Sequence, residues 1–302
     1  MKNISIIFIS ILLEAIPYLL LGAFLSALIE RYVTEEMITK RIPKNKILGS
    51  IVGVILGFFI PACDCAIIPV SRKLIEKKVP LNVAISFMLA SPIINPVVLL
   101  STYQAFKNTC PNMIWYRLAL GIIIALVIGI IMSIRYKEDI LLKHKKEEQD
   151  HDHCHCNCHH KEKGLKHAIS DIFEHTALDL MDVLKFLIIG ALIASTIQVI
   201  LPKSVLTIFQ NSTLLSTITL MIFAYVVSLC STSDSFIGSA LLQTFPQNAI
   251  LAYLIVGPMI DIKNTIVLLG SYKKEFVRDL IACIFIITFI SVLVVMYLWR
   301  SL

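Results

Sequence analysis

The sequence predicts an all-α, polytopic integral membrane protein, built as two inverted-topology repeats that each contain a broken-helix hairpin, in roughly 8–10 membrane segments. Three observations predict it. Apolar runs of bilayer length recur along the chain, the chain repeats itself at a nearly fixed spacing, and the basic residues of equivalent loops fall on opposite sides in the two halves.

The apolar runs come first. Of the 302 residues, 57% are hydrophobic and the mean hydropathy is +0.81, above the roughly 45–50% apolar content of soluble domains. Spans of about 20 apolar residues cross a bilayer. The candidates are 4–29, 47–70, 81–106, 112–134, 179–201, 214–230, 246–270 and 280–299. Residues 1–29 read as the first transmembrane helix and not as a cleaved signal: the apolar stretch is too long, and Glu14 and Pro17 interrupt it. The net charge of +6 is carried by residues that flank spans. It points to membrane anchoring and away from a nucleic-acid surface, which would gather those residues into one patch.

The duplication comes second. Glu14, Gly22 and Ala23 recur as Asp182, Gly190 and Ala191, Cys63 as Cys230, and Pro80-Leu-Asn82 as Pro246-Gln-Asn248. Ser91-Pro92-Ile-Ile-Asn95 recurs as Gly257-Pro258-Met-Ile-Asp261, and Val98-Leu-Leu-Ser-Thr-Tyr103 is echoed by Val267-Leu-Leu-Gly-Ser-Tyr272. Order is kept and the offset drifts by a few residues. The chain divides into a first membrane repeat, 1–136, a His/Cys-rich linker, 137–171, and a second membrane repeat, 172–302.

Loop charge sets the orientation. The 31–46 loop holds Arg31, Lys40, Arg41, Lys44 and Lys46, and the 72–78 loop holds Arg72, Lys73, Lys77 and Lys78. The later 107–112 loop holds only Lys107. In the second half the bias reverses: Lys203 alone marks 202–213, no basic residue lies in 237–249, and Lys273, Lys274 and Arg278 lie in 273–278. Cytoplasmic loops carry the Lys/Arg excess, so equivalent loops face opposite sides. Two basic loops flank 47–70. Both are cytoplasmic only if the chain enters and returns, with a break near Pro61-Ala-Cys63-Asp64-Cys65. Cys230-Ser-Thr-Ser-Asp-Ser235 is the matching break. The expected placement is a multi-pass protein of the cell membrane, with the linker cytoplasmic and both termini outside.

Cys63 and Cys65 are soft ligands at a spacing that points both sulfurs the same way in extended backbone, and Cys230 is the symmetry mate of Cys63. Buried cysteine is also a small hydrophobe, which is the reading for Cys110 and Cys283. Asp64, Ser231, Ser233 and Asp234 surround the breaks and are costly in lipid unless paired. Asn95 and Asp261 follow Pro92 and Pro258. They either bind a solute or satisfy the backbone groups freed by the prolines, and both readings stand. Together these residues form the candidate substrate site. Glu14 and Asp182 are the candidate proton-coupling pair, although Lys185 lies at ion-pairing distance from Asp182 on a helix. Gly49, Gly53 and Gly57 form a GxxxG ladder for helix packing.

The linker reads His151-Asp-His153-Cys154-His155-Cys156-Asn-Cys158-His159-His160, and all eight histidines of the chain lie between 144 and 175. These side chains suit Zn, Cu or Ni, but the spacing is not that of a folded zinc module. A flexible metal-gathering tract and a hydrophilic linker with incidental affinity remain the two readings. No cofactor is required by any motif.

At Pro61-Ala-Cys63-Asp-Cys65-Ala-Ile-Ile-Pro69, at Ala90-Ser-Pro92-Ile-Ile-Asn95-Pro96 and at Cys230-Ser-Thr-Ser-Asp234-Ser-Phe236 the sequence resembles the ArsP/YraQ-type predicted permeases. The resemblance covers nearly the whole chain apart from the linker. It implies a secondary permease, from a family with some members linked to efflux of trivalent organoarsenicals and others to metals, and it places Cys63, Cys65, Asn95, Cys230 and Asp234 at the site. The His/Cys linker pulls this chain toward metals.

The function expected is therefore secondary-active export of a soft, thiol-reactive solute (an organoarsenical, or a metal such as Zn or Cu). No GxxxxGK[ST] loop is present to hydrolyse ATP, and no enzymatic activity is expected. Two alternatives stand beside it: a transmembrane dithiol carrier cycling a Cys63–Cys230 disulfide, and a membrane subunit whose linker recruits a metallochaperone. The partners expected are the lipid bilayer, the solute, an accessory subunit and a second copy of the chain.

Overall fold

In the computed structural model, residues 2–32, 45–59, 64–136, 165–200 and 212–301 are described. They are helical, with no strands among them. In chain order the helices are α1 (Lys2–Tyr32), α2 (Lys46–Phe59), α3 (Asp64–Glu76), α4 (Leu81–Ile94), α5 (Pro96–Phe106), α6 (Met113–Arg135), α7 (Leu165–Ile200), α8 (Thr213–Val227), α9 (Ser231–Leu241), α10 (Gln247–Met259), α11 (Ile262–Ser271) and α12 (Lys274–Ser301). Five stretches are long and apolar enough to cross a membrane: Ile4–Gly22, Leu81–Phe106, Met113–Arg135, Gln247–Ser271 and Lys274–Tyr297. Shorter apolar helices cover Lys46–Phe59, Val183–Val199 and Thr213–Val227. This is a polytopic α-helical membrane protein. Helix α7 begins inside the stretch assigned from sequence to the linker.

The run 47–70 is not one span, and packing explains its course. Added Cβ atoms at Gly49, Gly53 and Gly57 would meet Asn82, the Val83 carbonyl and Ser91 in turn. Contacts that advance together show that α2 and α4 run parallel. The Asn82 amide donates to the Lys46 carbonyl at 2.7 Å, pinning their first turns side by side. Between them, α3 must travel back, because the four residues 77–80 join Glu76 directly to Leu81. Lys78 takes φ 62° in that turn. Helices α2 and α3 are thus a hairpin that enters and leaves by one face, which we term the near face. The glycine ladder is its packing seam, as small residues allow.

The second half repeats the design. The Asn248 amide donates to Thr217 at 3.1 Å, as Asn82 does to Ser50 at 3.4 Å. Helix α9 returns antiparallel to α10, with Gly257 against Asp234 and Gly238 against Leu254 and Ile250.

The two hairpins enter from opposite faces. Helix α5 continues from Asn95 to the far face. The hydroxyl of Ser235 bonds Thr102 and Ser101 at 3.1 and 3.3 Å, and Ser239 then donates to the Ala105 carbonyl at 2.7 Å. Helices α5 and α9 therefore run together, and the α8–α9 hairpin opens at the far face. In the mirror seam, Ser71 near the end of α3 meets Tyr272 at the end of α11, 3.1 Å apart. Each hairpin's returning helix thus packs on the post-break helix of the other half. The near face collects Lys46, Arg72, Lys73, Lys77, Lys78, Arg135, Lys273, Lys274 and Arg278, the charge pattern expected of a cytoplasmic side.

Because a Cβ at Gly53 would collide with the Val83 carbonyl oxygen, Gly53→Val forces α2 off α4. It should lower stability by about 1–3 kcal/mol, seen as an earlier thermal transition of the solubilised protein. Gly121→Ala, which meets only the movable Ile93 side chain, should cost less.

Candidate functional site

Among the described residues, three helix breaks meet at the centre of the bundle. The break between α4 and α5 is Asn95, and that between α10 and α11 is Ile260-Asp261. Pro92 and Pro258 precede them inside the helices. In a membrane interior the freed amides need partners, and the side chains supply them. Asn95 Oδ1 accepts from the Val97 amide at 3.0 Å, and Asp261 Oδ1 accepts from the Asn264 amide at 2.6 Å. These two symmetry mates are N-caps. Asp261, wholly buried, also pairs with Lys263 at 3.3 Å, and Lys263 is itself 5% exposed.

The break between α8 and α9 is Ser228-Leu-Cys230. Ser228 closes α8 in the left-handed region, at φ 51°, and its hydroxyl accepts from the Lys263 amide at 3.5 Å. The side-chain amide of Gln198 donates to the Val227 carbonyl, one of the groups the helix end leaves open. Cys230 is the N-cap of α9 and is half-buried, with its sulfur 3.4 Å from the Thr232 hydroxyl. The matching break joins α2 to α3. Cys63 lies outside the described residues. Asp64 and Cys65 are the first two residues of α3, and their side chains lie outside the described residues as well.

Behind Cys230 sits a buried polar cluster. Ser231 and Asp234 are 3% and 2% exposed, while Ser233 is half-exposed. The Tyr253 hydroxyl donates to Asp234 Oδ1 at 2.7 Å. Asp234 Oδ2 is buried, has no hydrogen-bond partner among the described residues and lies against Gly257, where an added Cβ would sit 2.7 Å away. Arg117, wholly buried on α6, donates from Nη1 to Thr102 at 2.6 Å and to Ser235 at 2.8 Å. Arg117, Asp261 and Lys263 are the charged neighbours that act on Asp234. A small cavity lies between Pro92 and Pro258, lined also by Met88 and Met259. Its place is the crossing of the two broken helices.

Sequence reasoning brought Asn95, Cys230, Ser231, Asp234 and Asp261 to this region, and the structure gathers them there. It missed Arg117, Lys263 and Tyr253. The signal for Arg117 was present, since a guanidinium inside the apolar run 113–135 is costly and marks a site by default. Glu14 stands exposed on α1, and the Asp182 side chain lies outside the described residues. So do all the linker's candidate metal ligands, His151, His153, Cys154, His155, Cys156, Cys158, His159 and His160. Among the described residues no three His, Cys, Asp or Glu side chains gather as a metal group. Cys110, in the loop before α6, is a half-buried thiol that burial pushes up from its ordinary pKa, which suits a packing role.

The family described as "Predicted permease" (ArsP_1) matches residues 1–297. The UPF0718 protein YcgR of Bacillus subtilis (strain 168) is 42% identical over 293 residues, 97% of each chain. A protein of Streptococcus mutans named "Putative two-component membrane permease complex subunit" is 37% identical over 292 residues, 96% of this chain and 93% of its own. No solved structure matches.

Removing Arg117 takes a buried cationic donor from the Thr102 and Ser235 hydroxyls, at about 1.5–3 kcal/mol for hydrogen bonds to a charged group, and removes a positive charge that acts on Asp234. Arg117→Met should therefore lower the thermal transition of the solubilised protein sharply. Arg117→Met/Asp234→Asn should recover part of the loss. Additive losses in that double-mutant cycle would show that the two charges do not act together.

Proposed function

The chain belongs to the ArsP_1 predicted permease family, and on that premise we propose that it is a secondary-active permease of the cell membrane exporting a soft, thiol-reactive solute. The solute class is a trivalent organoarsenical or a transition metal such as Zn or Cu, bound at Cys63, Cys65 and Cys230 where the hairpins meet. The observation that carries the reading is the pair of oppositely entering hairpins, with the described α8–α9 break beside a buried polar cluster. Inverted repeats with broken helices at the midplane are the architecture of alternating access. Cys230 at a helix N-terminus supplies a sulfur ligand, and the half-exposed Ser233 supplies a polar contact beside it.

The near face is the cytoplasmic one in this reading, on the strength of its basic residues. The linker between α6 and α7 is then cytoplasmic and both termini are outside. Its histidines and cysteines gather Zn, Cu or Ni from the cytoplasm and regulate or feed the site. A second reading keeps the permease and adds an obligatory partner. The Streptococcus mutans relative is named as a subunit of a two-component membrane permease complex, which favours an accessory subunit for this chain too. A dithiol carrier using Cys63 and Cys230 is the remaining alternative, and cycling of a Cys63–Cys230 disulfide with thioredoxin would identify it.

The test is growth of a deletion strain, complemented with each variant, on As(III), methylarsenite, Zn, Cu, Cd and Ni. Wild type should restore growth on one solute class. Cys63→Ser and Cys65→Ser should each abolish that rescue at equal expression, and Cys230→Ser should weaken it. Rescue retained by both Cys63→Ser and Cys65→Ser would remove the thiol site from consideration.

Deleting 144–163 should leave rescue at high solute and reduce only its dependence on metal. Complete loss of rescue in the deletion, with membrane insertion intact, would instead favour the chaperone-recruiting subunit.

A further inference from the structure

Four charged side chains are buried in this bundle at one place. Lys263 and Asp261 form an ion pair, with Asp261 also capping α11. Arg117 is held by the hydroxyls of Thr102 and Ser235 in the seam between α5 and α9. Asp234 is different. One oxygen accepts from Tyr253, and the other is enclosed against Gly257 with no donor among the described residues. An ionised carboxylate oxygen in an apolar interior is unfavourable unless something meets it. The space at Oδ2 is too tight to admit a methyl group on Gly257, so what meets it is small.

We propose that Asp234 is the carboxyl that binds and releases the coupled proton, with Tyr253 and Arg117 holding its ionised form and Gly257 keeping the enclosure small. When Asp234 is ionised, the buried set Arg117, Lys263, Asp261 and Asp234 is neutral. When it is protonated, the set carries one net positive charge. Protonation therefore changes the field at the helix breaks by one full charge, a few residues from Cys230. The neighbours that face Asp234 are Tyr253 on α10, Arg117 on α6, and Asp261 and Lys263 around the start of α11. Half-exposed Thr232 and Ser233 precede it on α9. The coupling role rests on the permease reading, but proton binding at Asp234 does not. The experiment reads proton binding alone, so its failure and the failure of the permease reading are told apart.

The experiment is dicyclohexylcarbodiimide labelling of the purified full-length chain in detergent micelles, from mildly acidic to alkaline pH, with the modified carboxyls mapped by peptide mass spectrometry. The reagent is apolar and attacks protonated carboxyls. The expected result is an adduct on Asp234 at acidic pH that falls about tenfold per pH unit once the carboxyl ionises. Tyr253→Phe removes the donor to the ionised form and should move that falling limb to higher pH, a shift that a purely structural tyrosine would not produce. Asp261, paired and capped, should stay unlabelled. Absence of the adduct on Asp234 at every pH overturns the proposal, whether or not Glu14 or Asp182 reacts instead. So does suppression of the adduct by sodium at fixed pH, which would make the site a cation site. The wild-type map decides even if Asp234→Asn does not fold.

Discussion

A helix that breaks inside a membrane exposes amides and carbonyls that lipid cannot satisfy, and the centre of this protein is organised by that constraint. Asn95 and Asp261 answer it in the same way, each capping the helix that resumes after a proline-bearing segment. Gln198 answers it for the end of α8 by reaching the Val227 carbonyl. A cap in lipid is worth more than its usual ~1 kcal/mol on a water-exposed helix, because the alternative is an unpartnered buried group. The breaks are therefore fixed features of the fold, and polar atoms are held at a depth where the rest of the chain is apolar.

Inversion follows from how the halves interlock. Neither hairpin packs its returning helix only within its own half. Helix α3 meets α11 through Ser71 and Tyr272, and α9 meets α5 through Ser235 and Ser239. The exchange joins the repeats along their post-break helices. The first helix of each half departs from this symmetry. Gly22 brings α1 against Ala66 of α3, while Gly190 brings α7 against Lys263 of α11. Helices α1 and α7 pack on each other and on the α3–α11 side. On the opposite side, Val97, Leu100, Tyr103 and Phe236 of α5 and α9 point outward, each more than half exposed. The two pseudo-equivalent sides of the centre are thus covered unequally.

Much of this was legible in the sequence, for reasons that differ by residue. Pro92 with Asn95 and Pro258 with Asp261 could be read because one physical problem had been solved twice in register. The hairpins could be read because Lys and Arg counts on flanking loops do not depend on tertiary contacts. The glycine ladder was legible because close approach of α2 to α4 leaves room for no side chain. Arg117 was not read, because a lone cation five residues inside the apolar stretch 112–134 looks like an interfacial anchor. Its partners Thr102 and Ser235 lie in different halves, and no periodicity connects them. Tyr253 was hidden for the same reason: in a segment buried on every side, its hydroxyl matters only because Asp234 arrives from α9. Chemistry that depends on one half meeting the other is written in no local pattern.

The buried charges decide how the centre can work. Arg117 cannot lose its proton within a protein, so one positive charge at the α5–α9 seam is permanent. Lys263 is matched by Asp261 on the same turn of chain. That leaves Asp234 as the group that determines whether the centre is neutral. Its geometry serves both states: Tyr253 stabilises the ionised carboxylate at Oδ1, while Oδ2 lies where a proton fits and larger ligands do not. A fixed cation beside a carboxyl that alternates between charged and uncharged makes the affinity for a second ligand at the adjoining helix breaks depend on proton occupancy, and by linkage the dependence is mutual. The same arrangement explains why a costly arginine is kept inside an apolar helix.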